Sequence, residues 1–94
     1  MELRFWYDPA AGLPHIYNHG ITEEEVSQVL RQPDLNFPGR RNSRSIFGQT
    51  LAGRHLKVVC VPDEVGNGVF VVTAYELRGK ALKAYHRAKR RKKR

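Results

Sequence analysis

Two runs of β-forming residues and one turn make up residues 55–75, HLKVVCVPDEVGNGVFVVTAY. In the first run, His55–Val61, one face is apolar (Leu56, Val58 and Cys60) and His55 and Lys57 point away from it. The second run, Val69–Tyr75, is apolar on both faces, which is typical of a strand inside a sheet. Pro62–Gly68 is rich in turn-forming residues. These residues therefore predict an antiparallel β-hairpin.

Further strands are predicted on the N-terminal side of this hairpin. Arg44–Thr50 is a third strand, and Ala52-Gly53 can turn the chain from it into His55. Glu2–Tyr7 mixes β-formers with charged residues and predicts a short first strand, followed by an irregular segment from Asp8 to Gly20. Sequential pairing would give an antiparallel meander of three to four strands.

One helix is strongly specified before these strands. Thr22 and Glu25 have the spacing of a capping box, in which each residue binds the backbone N–H of the other. Val26, Val29 and Leu30 then form one apolar stripe. Pro33 ends the helix, and the polar residues 34–43 that follow predict a connecting loop.

A second helix closes the chain, from Leu77 to Lys89, with Leu77, Ala81, Tyr85 and Ala88 on its packed side. Beyond Ala88 we expect the mutual repulsion of Lys and Arg to fray it. The sequence thus predicts a single α+β domain over residues 1–88, with two or three helices packed on the sheet, and a basic mobile tail over residues 89–94.

Composition limits the classes of function. A chain of 94 residues with 40% hydrophobic residues builds one core but no deep enclosed active site, so chemistry is expected on an open surface. Cys60, the one cysteine, lies in an apolar run and is interpreted as a core residue rather than a nucleophile. With no apolar stretch of membrane-spanning length and no signal-peptide layout, we expect a cytoplasmic protein without a membrane partner.

The charge is strongly asymmetric. Ten of the seventeen Lys and Arg residues lie from Leu77 onward, where there is no Asp or Glu. The other seven lie in residues 1–76 together with all nine acidic residues. Such a density of Lys and Arg favours a polyanion as the binding partner, because cations that contact phosphates release condensed counterions. A solubility tail, an acidic protein partner and a membrane surface are the alternatives. The predicted nucleic-acid contacts are Arg54, Lys57, Arg78, Lys80, Lys83, Arg87, Lys89, Arg90 and Arg91.

RNA is favoured over duplex DNA. The chain has no recognition-helix signature, and Phe47, Tyr75 and Tyr85 could stack on unpaired bases. Neither a cofactor nor a metal is expected, because His15 and His19 have no third ligand beside them. RNA cleavage needs no metal, since the attacking 2′-hydroxyl belongs to the substrate and the protein supplies a base, an acid and positive charge.

The order of motifs resembles the BrnT-like branch of the RelE superfamily, or a related uncharacterised family of small RelE-like domains. The similarity covers residues 5–85 and rests on residues 18–26 (NHGITEEEV), Arg44, residues 53–59 (GRHLKVV) and residues 71–74 (VVTA). It implies helices packed on an antiparallel sheet and an endoribonuclease that a cognate antitoxin, acidic or DNA-binding, holds inactive.

The resemblance also implies site residues. The family's His-Gly step falls on His19, its strand arginine on Arg44 and its late helix tyrosine on Tyr85. Tyr75 stands where these toxins usually place an arginine, which removes a cation from the site. His19, Arg44, Tyr75 and Tyr85 are therefore the candidate catalytic residues.

Two functions follow from the sequence. The first is a toxin-type, metal-independent endoribonuclease that uses the terminal helix to grip RNA. The alternative is a non-catalytic nucleic-acid-binding module that uses the same helix. The length of the basic extension favours structured or ribosomal RNA as the partner, and an interaction domain for an acidic protein is a third interpretation.

Overall fold

Seven strands and two α-helices make up the described part, residues 2–92, of a computed structural model of the chain. The strands are β1 Leu3–Phe5, β2 Tyr7–Asp8, β3 Leu13–Pro14, β4 Leu35–Pro38, β5 Arg44–Gln49, β6 His55–Pro62 and β7 Val69–Glu76. The α-helices are α1 Glu23–Arg31 and α2 Gly79–Lys92, and shorter 3₁₀ helices span His15–His19 and Arg40–Asn42.

The main sheet has five strands in the order β1-β7-β6-β5-β4. Strands β5, β6 and β7 pair sequentially and antiparallel, which confirms that part of the prediction, and β4 adds to them antiparallel beside β5. The prediction of a purely antiparallel meander of three to four strands was wrong, because β1 joins β7 in parallel. Gly68 permits this contact, since a Cβ at that position would lie 1.7 Å from the carbonyl oxygen of Glu2.

Two segments predicted to lack regular structure contain short elements. Leu35–Pro38, predicted as part of a loop, is the edge strand β4, and its first residue, Leu35, is buried. The irregular segment before α1 contains the 3₁₀ helix, which buries Ile16 and ends at Gly20 in the left-handed conformation (φ 70°). Both elements are too short to show a periodic pattern in the sequence.

Helix α1 begins with the predicted capping box. The Thr22 hydroxyl accepts from the Glu25 N–H (3.2 Å), and the Glu25 carboxylate accepts from the Thr22 N–H (3.0 Å). The predicted apolar stripe faces the sheet and is buried. The helix lies close to β5 because Gly48 has no side chain, and a Cβ there would lie 3.0 Å from Val29 Cγ1. Helix α1 therefore packs directly against β5 on this face of the sheet.

Two cores lie on opposite faces of the sheet. The larger lies under α1 and includes Leu56 and Val58 of β6. The smaller joins Leu35, Leu77 and Tyr85 where α2 meets the other face. Cys60 is 1% exposed on the α1 side, as predicted for a core residue. Because α2 covers one end of its face, the rest of that face stays open.

Helix α2 begins at Gly79, two residues later than predicted, and ends at Lys92, about one turn beyond the predicted end near Lys89. Asp34 accounts for the extra turn. The Lys89 ammonium lies 3.4 Å from the Asp34 carboxylate, and Lys92 donates to the Asp34 carbonyl oxygen at 2.7 Å. Of the predicted tail, residues 89–92 are thus helical, and residues 93–94 lie outside the described part.

Candidate nucleic-acid interface

An open groove of about 630 Å³ separates α2 from the uncovered face of the sheet. Its floor is a cross-strand row in which Phe47 of β5 pairs with Lys57 of β6, and Lys57 pairs with Tyr75 of β7. Side chains at paired positions point to the same face, so one cation stands between two aromatic rings. The groove is lined principally by Phe37, Phe47, Lys57, Tyr75, Ala81 and Ala84.

Helix α2 presents three different stripes at the spacing of helical neighbours. One stripe, which includes Leu82, Tyr85 and Lys89, packs toward the domain. The second stripe faces the groove and consists of three alanines followed by an arginine: Ala81, Ala84, Ala88 and Arg91. The third, here called the outer stripe, is exposed and entirely basic: Lys80, Lys83, Arg87 and Arg90. The outer stripe borders the groove-facing stripe along the whole helix.

The groove is electropositive. The Lys57 ammonium lies 5.9 Å from the centre of the Phe47 ring and 5.7 Å from that of Tyr75. Of the described residues that line the groove, Glu76 is the one carboxylate. Hydrogen bonds from Arg78 and Arg54 hold the pKa of Glu76 below its usual value, so it stays ionised and neutralised by both.

A second cavity, of about 510 Å³, opens on the far side of Tyr75. We call it the histidine pocket, and it is lined by Trp6, His15, His19, Val72, Thr73 and Tyr75. Its rings follow one another edge to face. The ring centres are 5.2 Å apart for Trp6 and His15, 5.2 Å for His15 and His19, and 5.7 Å for His19 and Tyr75. Tyr75 therefore belongs to both cavities.

Asp34 anchors α2 to the domain. Its carboxylate accepts a hydrogen bond from the Tyr85 hydroxyl and lies beside Lys89. Burial, together with the Asp34 carboxylate, raises the pKa of Tyr85 above its ordinary value. Tyr85 thus stays protonated and acts as a structural donor.

The structure brings together two of the four predicted catalytic residues. His19 and Tyr75 are neighbours in the histidine pocket. Tyr85 is 3% exposed with its hydroxyl bound to Asp34, and its ring packs in the second core, next to Phe47. Arg44 lies on the opposite face, since it pairs with buried Cys60 and donates to the side chain of Asn36 at 2.7 Å. A single constellation of all four is therefore not formed.

Arg54, a predicted nucleic-acid contact, is bound by two carboxylates of the domain. Its guanidinium donates to the Glu25 carboxylate at 2.7 Å, to the Glu76 carboxylate at 3.2 Å and to the Gly20 carbonyl at 3.1 Å. Glu25 in turn raises the pKa of Arg54, although burial opposes that effect. Arg54 thus joins α1 to β7, and both of its terminal nitrogens already donate to carboxylates.

The remaining predicted contacts lie where nucleic acid could reach them. Lys57 is on the groove floor, Arg78 and Arg91 line the groove, and Lys89 is paired with Asp34. The outer stripe supplies Lys80, Lys83, Arg87 and Arg90. Phe37, Trp6 and Thr73 line the two cavities but were not predicted as site residues. Phe37 lay in a predicted loop. Trp6 and Thr73 are brought together only by the pairing of β1 with β7, which was not predicted.

Neither α-helix of the described chain combines the length and apolarity that a membrane crossing needs. Within residues 2–92, no three side chains of His, Cys, Asp or Glu are grouped closely enough to hold a metal ion.

Comparison with known proteins gives one match. A family model described as a domain of unknown function, DUF4258, matches residues 15–76 of the 94-residue chain. The chain belongs to the DUF4258 family. The DUF4258 match includes α1, strands β4 to β7, His19 and Tyr75, whereas α2 and its cations lie beyond it. No curated protein and no solved structure matches the chain, and nothing found links this DUF4258 domain to BrnT-like toxins.

Thr73 offers a test of the histidine pocket's structure. Its hydroxyl is buried and has no hydrogen-bond partner among residues 2–92. We expect Thr73→Val to raise the free energy of unfolding by about 1 kcal/mol, because an unpaired buried hydroxyl is costly. Urea denaturation measures the change. Thr50→Val is the matched control and should destabilise, since the Thr50 hydroxyl accepts from the Arg54 N–H at 3.0 Å. A loss of stability in Thr73→Val would contradict this account.

Proposed function

We propose that this chain is an RNA-binding protein whose outer stripe holds phosphates while the groove receives unpaired bases. The observation that carries the proposal is the position of the basic outer stripe beside an aromatic groove. Phosphates on Lys83 and Arg87 would release counterions, which gives affinity without sequence preference. Phe47 and Tyr75 supply rings on which bases stack, with Lys57 between them.

Single-stranded RNA fits this surface better than a duplex. The groove is lined by apolar and aromatic side chains, which reward burial of a base rather than of a sugar-phosphate backbone. A duplex keeps its bases stacked internally and offers phosphates to the outer stripe alone. We therefore expect a structured RNA, such as ribosomal RNA, to bind through its loops, and we expect the protein to work in the cytoplasm.

The first experiment is a gel-shift assay with a labelled twenty-nucleotide RNA, either single-stranded or paired with its complement. We expect the single strand to bind more tightly than the duplex and the affinity to fall steeply between 50 and 200 mM salt, in proportion to the number of phosphates contacted. No shift with either RNA at the lowest salt concentration would overturn the proposal.

A toxin-type endoribonuclease is the second candidate, because exposed His19 lies beside Tyr75, which also lines the groove. His19 would take the proton from the 2′-hydroxyl as its oxygen attacks the phosphorus. The bond to the 5′-oxygen would break as that oxygen takes a proton from the Tyr75 hydroxyl, and Lys57 would stabilise charge on the phosphate. Arg44 and Tyr85 take no part in this version, since one lies on the other face and the other is buried. An antitoxin encoded nearby would be its partner.

The same gel lanes report cleavage. The enzymatic version predicts shortened RNA with the wild-type chain and none with His19→Ala, whereas His86→Ala, a histidine outside the pocket, keeps cleaving. It also predicts growth arrest on expression that His19→Ala relieves. A shift without cleavage under all conditions would leave the binding function and refute the enzymatic one.

A further inference from the structure

The histidine pocket has the form of a site for one flat aromatic ring. It is lined by Val72 and Thr73 of β7 together with the ring series that runs from Trp6 to Tyr75. Val72 is exposed here because it is the extra residue at an irregularity in the pairing of β6 with β7, where Val59 pairs with Thr73 and Cys60 pairs with Val71. Such bulges redirect a side chain out of the sheet's regular pattern.

The ring-bearing side chains of the pocket remain accessible. Trp6 is 42% exposed although large apolar side chains are usually covered, and His19 is exposed as well. The volume of about 510 Å³ is enough for a nucleobase with its sugar. None of the described residues that line the pocket carries a negative charge. Aromatic walls without a carboxylate suit a neutral heterocycle that is attached to a phosphate.

Tyr75 and Lys57 connect this pocket to the groove. Tyr75 lines both cavities, and the Lys57 ammonium lies 5.7 Å from the centre of its ring. A strand that leaves the groove passes over Lys57, which can neutralise a phosphate, and reaches the pocket with its next base. The charges and the shared tyrosine thus favour a continuing RNA strand over an unrelated small ligand.

We infer that the histidine pocket is a base-binding subsite, in which an unpaired base of the RNA stacks on Trp6. This inference rests on the proposed RNA-binding function and adds to it a fixed place for one base. The subsite makes the chain sensitive to the presence of bases, whereas the outer stripe responds to phosphates alone. A protein with both the subsite and the outer stripe binds single strands in preference to duplexes.

Trp6 is the one tryptophan of the chain, so its fluorescence reports on the pocket directly. Two ten-nucleotide RNA strands of equal charge are compared, one with bases and one abasic, while anisotropy of a terminal label measures binding. We expect both strands to bind and only the base-bearing strand to quench Trp6. Trp6→Leu should weaken binding of the base-bearing strand about tenfold and leave the abasic strand unaffected.

The matched control is Tyr7→Ala, an exposed aromatic neighbour that does not line the pocket, and it should change neither affinity. Equal quenching by both strands, or equal loss of affinity for both in Trp6→Leu, would overturn the subsite while leaving the proposed function intact. Quenching by free adenosine with no quenching by the strand would assign the pocket to a small ligand instead. If neither strand changes the anisotropy, the proposed function itself fails, and the subsite fails with it.

Discussion

Tyr85→Ala is expected to lower the free energy of unfolding by about 3 kcal/mol, as for other buried aromatic residues cut back to alanine. Tyr85 is 3% exposed and is the fully buried residue of α2. Its ring packs with Leu35 and Leu77 in the second core, and its hydroxyl binds Asp34. Removing the ring therefore takes away the main apolar contact between α2 and the sheet. Urea denaturation followed by circular dichroism measures the loss.

Tyr85→Phe separates the ring from the hydroxyl. It keeps the packing but leaves Asp34 without that hydrogen bond, so we expect a loss of about 1 kcal/mol. Binding of RNA should be unchanged in Tyr85→Phe, because the hydroxyl is already bound to Asp34 and the ring is kept. A loss of less than 1 kcal/mol in Tyr85→Ala would show that α2 is held by other contacts. Loss of RNA cleavage in a stable Tyr85→Phe would restore its predicted catalytic role.

The second large effect concerns the outer stripe. Replacing Lys83, Arg87 and Arg90 by glutamine is expected to weaken RNA binding about 100-fold at 0.1 M salt, because three phosphate contacts are lost. All three side chains are exposed, and no hydrogen bond or ion pair within residues 2–92 uses them. The fold should therefore be unaffected. Fluorescence anisotropy with a labelled single strand measures the dissociation constant.

The control for this triple variant removes the same charge elsewhere. Arg31, Arg40 and Arg41 are exposed on α1 and on the turn after β4, away from the outer stripe. Their replacement by glutamine lowers the net charge equally and should change RNA affinity only slightly. If the two triple variants lose the same affinity, binding follows net charge and the outer stripe has no special part.

The sequence was sufficient for elements specified by neighbouring residues. The capping box at Thr22 and Glu25 fixed the start of α1, and the apolar runs fixed the hairpin of β6 and β7. It was insufficient for contacts between distant segments. The parallel pairing of β1 with β7 joins residues more than sixty positions apart, and β4 is only four residues long. Local patterns carry no information on either.

The same limit applies to the site. The sequence placed Lys57 outward from an apolar face, but the row with Phe47 and Tyr75 exists only once the registers of two hairpins are set. Arg54 was predicted to contact nucleic acid, and its binding by carboxylates 22 and 29 residues away could not be inferred locally. The basic character of α2 could be predicted because its Lys and Arg residues lie close together in the sequence.

The central claim is that the outer stripe of α2 contacts RNA phosphates. The most direct test is the slope of log affinity against log salt concentration for the wild-type chain and for the Lys83, Arg87 and Arg90 triple variant. Each phosphate contact to a single strand contributes about 0.7 to that slope, so the account predicts a decrease of about 2. An unchanged slope in a folded triple variant would contradict it.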